Sequence, residues 1–372
     1  MTTKRILTTP SPPKFPPPPQ KWQHHLTIDL LATVLSRTLL HPFIAWIIVL
    51  CLRAQARPYN NPVFISATAY ATFLTVIDIL FMISDRIAFG ADRDVDLNEE
   101  VIVIPGGASG LGRLIAQIYG LRGVSVAVLD IAEKDDVFAK GWEEDMGGAV
   151  EYYQCDIGNR GDLERVAGKI REDLGTPTVL VNCAAARING QPILSISAEA
   201  FQKTLQTNLL SVVHTCQVFL PQMLSAENGG TVVNVSSVLG QLCAAGLADY
   251  SASKAGLSAL HRTLEAELRV SGNGDKVKTV LVESGQMSTP LFNFIKTPNS
   301  FFAPVLEPSR VAQEIVSMID KGRSGVIRLP TFAMFANWYV VLPAGLQRIG
   351  RHISGIDSAV PHSGLKEPHK KE

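Results

Sequence analysis

The sequence predicts an α/β fold: a doubly wound parallel sheet, seven strands expected, preceded by one or two apolar helices. Three observations carry that expectation. From about residue 98 to 330, short β-branched runs alternate with amphipathic segments. The first run leads into a glycine-rich turn, Pro105-Gly-Gly-Ala-Ser-Gly-Leu-Gly112, which opens a helix. Upstream, the apolar stretches Leu39 to Leu52 and Pro62 to Ser84 stand outside the alternating pattern.

Taken in order, Val101-Ile-Val-Ile104 has no polar interruption, the mark of a strand buried on both faces. Gly110 to Tyr119 follows as a helix. Val124 to Leu129, Val150 to Cys155 and Thr178 to Val181 are the next strands, and a long helix is expected from about Ala198 to Leu224. Thr231 to Val235 and Lys278 to Val282 are further strands, with a helix around Tyr250 between them. Gly325 to Leu329 is the last. The acidic clusters Glu133-Lys-Asp-Asp136 and Glu143-Glu-Asp145 read as solvated faces.

The chain of 372 residues has room for one large α/β unit, placed at 98–330, plus extensions. It is 46% hydrophobic and only 18% charged, oily for its size, and its 34 basic and 34 acidic residues cancel. No clustered basic surface points to nucleic acid. The five cysteines, Cys51, Cys155, Cys183, Cys216 and Cys243, are widely spaced and mostly in apolar runs, and read as reduced, buried hydrophobes. The histidines have no ligand spacing, so no metal is expected.

Residues 1–25 are proline-rich, with runs at Pro12-Pro13 and Pro16 to Pro19, and predict an extended, coreless segment without the order of a secretory signal. Region 26–97 holds the two apolar stretches. The first contains His41 and Pro42 and is short for a membrane span, which takes about 20 residues. The second is long enough and carries Asp78 inside it. Buried helices of a larger soluble domain would explain the first stretch, yet nothing nearby reads as a partner for so much apolar surface. A two-pass hairpin is therefore expected, with a single span plus an interfacial helix as its competitor. Lys4, Arg5, Lys14, Lys21 and Arg37 before the first stretch outnumber Arg53 and Arg57 after it, which places the N-terminus, and for a hairpin the large domain, in the cytosol.

The glycine turn allows close backbone approach to a pyrophosphate at a helix N-terminus. A lone glycine motif is weak, but this one has a strand before it and a helix after it. Asp130 closes the second strand, where its carboxylate can accept from ribose hydroxyls and repel a 2′-phosphate. NAD(H) is favoured on that ground. NADP(H) stays the second candidate because Arg113 lies just past the turn. Tyr250 and Lys254 are i,i+4 neighbours if helical, and an ammonium beside a phenol favours the phenolate, giving a proton donor and acceptor usable near neutral pH. Tyr-x-x-x-Lys is common by chance, so its weight comes from its company.

With those residues in view, 98–330 resembles the short-chain dehydrogenase/reductase family, which implies a Rossmann-type fold. Gly106, Gly110 and Gly112 match the family's glycine turn, and with Ser109 and Leu111 would hold cofactor. Asp156, with Ile157 after it, matches the aspartate near the adenine. Asn182-Cys-Ala-Ala185 matches Asn-Asn-Ala-Gly, giving Asn182 and Ala184 as cofactor residues. Gly285 and Thr289 match the segment that meets the nicotinamide carboxamide. Asn208, Ser237, Tyr250 and Lys254 match the catalytic tetrad, with Ser237 preferred over Ser236 by its distance from Tyr250. The resemblance implies Tyr250 as general acid/base, Lys254 also holding the nicotinamide ribose, Ser237 on the reacting oxygen, and Asn208 anchoring a water relay.

Three positions depart from the pattern: Pro105 for threonine, Ala185 for glycine and Ser284 for proline. Each could weaken cofactor binding, and none touches the tetrad. The apolar N-terminus and the segment 331–372 are similar to membrane-associated members of the 17-beta-hydroxysteroid dehydrogenase 11/13 and epidermal retinol dehydrogenase type. That implies a steroid, retinoid or other lipid alcohol as substrate, at the endoplasmic reticulum or a lipid droplet. Met287, Leu291, Phe292, Phe294, Phe301 and Phe302 would face the substrate, and a tail helix from Phe332 to Ile349 would lie on the membrane. A homodimer through the helices carrying Asn208 and Tyr250 is implied by resemblance alone. Asn234-Val-Ser236 has the form of a glycosylation acceptor but falls in a core strand. An NADPH-dependent lipid-ketone reductase and a non-catalytic membrane or lipid-droplet scaffold are the competing readings.

Overall fold

Seven parallel strands make the sheet: β1 (Val101–Pro105), β2 (Ser125–Asp130), β3 (Val150–Gln154), β4 (Val179–Asn182), β5 (Gly230–Ser237), β6 (Val277–Ser284) and β7 (Gly325–Leu329). The structure is a computed structural model and describes residues 26–138, 146–292, 295, 297 and 299–360. The proline-rich segment 1–25 with its basic residues, the cluster Glu143-Glu-Asp145, Phe294 and the end of the tail after 360 lie outside the described residues.

The strand order is β3-β2-β1-β4-β5-β6-β7, so the winding reverses between β1 and β4. That reversal opens a crevice at the carboxyl ends of the strands, where ligands bind in open parallel sheets. Side chains alternate between faces. Ile102, Ile104, Val126 and Val128 pack under α4 (Gly110–Gly120) and α11 (Pro308–Asp320). Val101, Val103, Ala127 and Leu129 pack under α6 (Arg160–Asp173), α8 (Ser211–Ser225) and α10 (Ala248–Val270). Both faces are covered, which is why central β1 reads as an unbroken apolar run.

Between these, α5 (Lys134–Phe138) follows β2, α7 (Ala198–Leu205) precedes α8, and α9 (Leu239–Leu242) follows β5. The long helix expected from Ala198 is interrupted. A π turn over Gln206–Leu210 joins α7 to α8 and contains Asn208. One-turn π insertions of this kind gather at functional positions.

Upstream, α1 (Ile28–Arg37), α2 (Pro42–Ala54) and α3 (Pro62–Phe89) start at Thr27, His41 and Asn61, whose side chains cap them. The 28 residues of α3 span about 42 Å, more than a bilayer core of about 30 Å, while the 13 residues of α2 span about 20 Å. By length and apolarity α3 can cross a membrane; α1 and α2 qualify only jointly, with a 47° bend between them. Ala45 and Val49 of α2 pack on Ala71 and Leu74 of α3, and most other large apolar side chains of the pair are exposed.

Both ends of this region are tied to the sheet. Asp29 accepts from Arg310 at 2.8 Å and from the Thr331 backbone at 2.6 Å. At the far end Asp275 accepts from the Ala91 backbone at 2.9 Å, and the buried Lys278 ammonium donates to Gly274 O at 3.1 Å and Phe89 O at 3.5 Å. The single tail helix expected from Phe332 to Ile349 is instead a 3₁₀ turn, α12 (Ala336–Val341) and α13 (Ala344–Ser354). Pro343 explains the break: it lacks an N–H and pushes Leu342 out of helical geometry. Cys51 and Cys243 are exposed, against the expectation for the cysteines as a group, because Cys51 sits on α2 and Cys243 in a surface turn.

Candidate active site at the carboxyl edge of the sheet

The carboxyl ends of the strands border one cavity of about 1050 Å³. Gly106, Ser109, Gly110, Leu111 and Gly112 line one part of it, and Tyr250, Lys254 and Thr289 another. The glycines are required. Gly106 has φ +76°, and a Cβ there would lie 2.5 Å from the Ala184 Cα; a Cβ on Gly112 would lie 2.6 Å from the Gly106 carbonyl oxygen. Ser109 precedes α4 without a side-chain cap, which leaves the first-turn N–H groups free to meet an anion. The donor set and the open glycine cradle fit a dinucleotide.

Asp130, Asp156, Ile157 and Ala184 also line the cavity. The Asp130 carboxylate accepts from the Ala108 and Ala132 backbones, each at 3.3 Å, and so is held at the mouth of the glycine turn. Asp156 accepts from Gly158 N at 2.9 Å and shapes the turn after β3. Thr289 places its methyl 3.8 Å from where a Gly110 Cβ would stand, which closes the cavity from the β6 side.

The other predicted residues, Asn182, Asn208, Ser237 and Gly285, are not among the cavity-lining side chains. Asn182 donates to Asn234 at 2.8 Å and accepts from Thr215 at 2.8 Å, so its side chain braces β4 against β5 and α8. Gly285 gives room to Pro330, whose Cδ would sit 2.8 Å from a Cβ. Asn208 is fully buried; its Oδ1 accepts from Ala186 N at 2.8 Å and its Nδ2 donates to Ser253 Oγ at 3.0 Å. Through those two bonds the π turn fixes both the loop after β4 and the helix that carries Tyr250.

Tyr250 and Lys254 lie one turn apart on α10, both buried, and Ser237 ends β5 beside them. Ser237 neighbours Tyr250, and its hydroxyl donates to Ser284 O at 3.3 Å. The Ser236 hydroxyl donates to Lys254 O at 3.0 Å. Lys254 Nζ donates to Val235 O at 2.7 Å and stands 5.8 Å from the centre of the Tyr250 ring. The expectation that Lys254 lowers the tyrosine pKa is reversed in this arrangement. Burial pushes Tyr250 up to about 12, with the neighbouring Ser237 acting against it, and burial brings Lys254 down to about 8.

Two buried acids escaped the sequence reading. Asp249 accepts from Asn189 at 2.7 Å and Thr204 at 2.8 Å, bracing the start of α10. Glu283, beside Ser284, accepts from Gln241 and from Arg328, each at 2.9 Å, and from Arg262 at 3.4 Å. An acid inside an otherwise apolar strand run, Val280-Leu-Val-Glu283, was the available signal.

The short chain dehydrogenase family model matches residues 100–299. The chain is a short-chain dehydrogenase/reductase. Among similar proteins, human short-chain dehydrogenase/reductase 3 is 33% identical over 74% of this chain and 84% of its own length. An uncharacterised oxidoreductase of Saccharomyces cerevisiae is 30% identical over 70% of this chain and 78% of its own. Human epidermal retinol dehydrogenase 2 is 30% identical over 66% and 80%. Short-chain dehydrogenases are NAD(P)-using oxidoreductases, and this chain is one by membership.

The departures of this short-chain dehydrogenase fit locally. At Pro105 the ladder resumes one residue later, because Gly106 N donates to Leu129 O at 2.7 Å and Cys183 N donates to Pro105 O at 3.1 Å. Ser284 keeps a backbone role at the site: its carbonyl accepts from Val238 N at 3.1 Å and from the Ser237 hydroxyl at 3.3 Å. Asn234 of the formal glycosylation acceptor is buried and bonded to His261 at 3.0 Å, closed to any glycan.

Proposed function

We propose that the chain is a membrane-anchored, NAD-dependent oxidoreductase that interconverts a lipophilic alcohol and its carbonyl, at the endoplasmic reticulum or a lipid droplet with the sheet in the cytosol. The observation that carries this is the cavity itself: it runs from the uncapped start of α4 to the buried Tyr250–Lys254 pair, with Ser237 next to Tyr250. Asp130 at the glycine turn supports NAD(H) over NADP(H), since its carboxylate would repel a 2′-phosphate. The retinol dehydrogenase names of two relatives and the apolar surface of α3 support a retinoid, steroid or similar lipid alcohol.

In this reading Gly106, Ser109–Gly112, Asp130, Asp156, Ile157, Ala184 and Thr289 hold the dinucleotide, which supplies hydride transfer. Ser237 orients the reacting oxygen, and Tyr250 takes its proton in oxidation or returns it in reduction. A tyrosine held near 12 favours the protonated form and suits reduction; oxidation needs the Lys254 charge turned toward the phenol. Asn208 fixes the loop and helix that keep these groups in place. A hairpin, with α3 as one arm and the bent α1–α2 pair as the other, is the anchor arrangement that leaves both ends of the region at the sheet domain on one side of the membrane. Pairing of two copies through α8 and α10 belongs to the same proposal.

The test is a screen of retinoids, sterols and long-chain alcohols with detergent-solubilised full-length protein, run with NAD⁺ and NADP⁺. NAD⁺ reduction by at least one lipid alcohol is expected. Turnover confined to NADPH and ketones would replace the proposal by a ketone reductase. Cofactor binding without any turnover would replace it by a non-catalytic scaffold.

A further inference from the structure

Five charged side chains line the cavity: Asp130, Asp156, Arg187, Lys203 and Lys254. Three of them are engaged. Asp130 and Asp156 accept from backbone N–H groups, and Lys254 donates to Val235 O. Arg187 and Lys203 are exposed and make no hydrogen bond or ion pair among the described residues. Arg187 is held in place all the same, because the residues around it are anchored. Ala186 N donates to Asn208 at 2.8 Å. Ile188 is buried in one cluster with Tyr250, Phe292 and Val360. Asn189 donates to Asp249 at 2.7 Å and to Thr204 at 3.3 Å. Thr204 follows Lys203 on α7, so the last contact brings the two cations to one wall, between the loop after β4 and α7. Asp249 does not neutralise them: it is fully buried behind that wall and spends its accepting oxygen on Asn189 and Thr204.

We propose that Arg187, assisted by Lys203, is a specificity-determining residue that receives a carboxylate of the substrate, so that the site takes a lipid carrying both an alcohol and an acid group. This rests on Tyr250 being the reacting end for a lipophilic alcohol. A guanidinium presents a planar fork of N–H donors that matches the two oxygens of a carboxylate. The dinucleotide leaves this pair unused: the start of α4 serves its diphosphate, and Asp130 and Asp156 stand at its adenosine end, on the β2–β3 side of the sheet. The two acids of the cavity and its two unpaired cations therefore lie on different walls, which favours an anion beside Arg187. Met287, Leu291 and Phe292 line the cavity on the far side and give the chain of such a lipid an apolar path.

The experiment measures equilibrium binding, so that it stands apart from turnover. Full-length protein in non-ionic detergent, with NADH present, is titrated calorimetrically with ω-hydroxydecanoate and ω-hydroxyhexadecanoate, and with decanol and hexadecanol as the uncharged counterparts. The quantity read is the acid-to-alcohol affinity ratio at equal chain length; comparing variants cancels any difference in how acid and alcohol enter the detergent. Arg187→Gln is expected to lower that ratio by about tenfold for at least one length, the worth of a hydrogen bond between charged groups. Arg187→Lys keeps part of the preference, because it holds the charge and loses the fork. Lys203→Gln lowers the ratio by about threefold, as an exposed pair should. NADH affinity stays within about twofold in each variant, since none of them meets the dinucleotide. A ratio unchanged in Arg187→Gln at both lengths overturns the assignment. So does an Arg187→Gln variant that loses NADH affinity in step with the acid, because the arginine then serves the dinucleotide. Oxidation of decanol or hexadecanol with an unchanged ratio removes the carboxylate site and leaves the proposed activity standing. The expected ratios without oxidation of any hydroxy acid remove the activity and leave the site.

Discussion

Lys254 Nζ donates to the carbonyl oxygen of Val235 at 2.7 Å, two residues before Ser237 and at the end of β5. This bond keeps a fully enclosed ammonium satisfied while burial brings its pKa from 10.5 to about 8. The folded state therefore holds fewer protons than the unfolded state between about pH 8 and 10.5, and stability rises with pH across that window. Tyr250, raised from 10.0 to about 12, acts oppositely between those values, because folding favours its protonated form. Urea unfolding of wild type and Lys254→Met from pH 7 to 10 should show wild type gaining on the variant above pH 8. Parallel curves would contradict the burial effect.

Asn208 joins the loop after β4 to the Tyr250 helix through Ala186 N and Ser253 Oγ. Asn208→Ala leaves the Ala186 N–H without its acceptor, a cost of about 1–3 kcal/mol. The kcat for alcohol oxidation should fall by about tenfold or more, from loosened placement of Tyr250. Denaturant unfolding and steady-state kinetics check both. Lost stability with unchanged kcat would reduce Asn208 to a structural residue.

Asp130 is positioned by the Ala108 and Ala132 backbones at the glycine turn. Asp130→Ser should improve NADP⁺ relative to NAD⁺ by about tenfold in kcat/KM, close to 1.4 kcal/mol. Cofactor titrations with each dinucleotide give the answer. A ratio that does not move would show that the carboxylate plays no part in cofactor choice.

Glu283, paired across the sheet with Ser236, gathers Arg328, Arg262 and Gln241 on a buried carboxylate. Breaking a wholly buried ion pair costs about 3–5 kcal/mol. Here Arg262 is 56% exposed and Arg328 26%, so Glu283→Gln should cost less, about 2 kcal/mol. Chemical denaturation measures it. A neutral result would mean that water serves the two arginines equally well.

The sheet was legible because both its faces are covered, so every strand from Val101–Pro105 to Gly325–Leu329 carries its own apolar signal. The glycine turn and Tyr250–Lys254 were legible because their chemistry depends on local spacing. What local patterns do not encode is what long-range contacts decide. The π turn at Asn208 looks like ordinary helix in sequence. The bracing of Asn182 by Asn234 and Thr215 joins residues far apart in sequence. The direction of the Lys254 ammonium depends on a carbonyl 19 residues away, and the sign of the Tyr250 shift on its burial. The return of Val360 to Tyr250 could not be read from the apolar composition of the tail.

The central claim is that Tyr250 exchanges the proton of a lipid alcohol beside a bound dinucleotide. Tyr250→Phe keeps the ring in its cluster with Phe292 and Val360 and removes only the hydroxyl. The direct test is NAD⁺-coupled oxidation of the best alcohol by purified Tyr250→Phe, with NADH binding measured on the same sample. The account predicts NADH affinity within about twofold of wild type and a kcat at least about a hundredfold lower. Unchanged turnover by a folded, NADH-binding variant would contradict it.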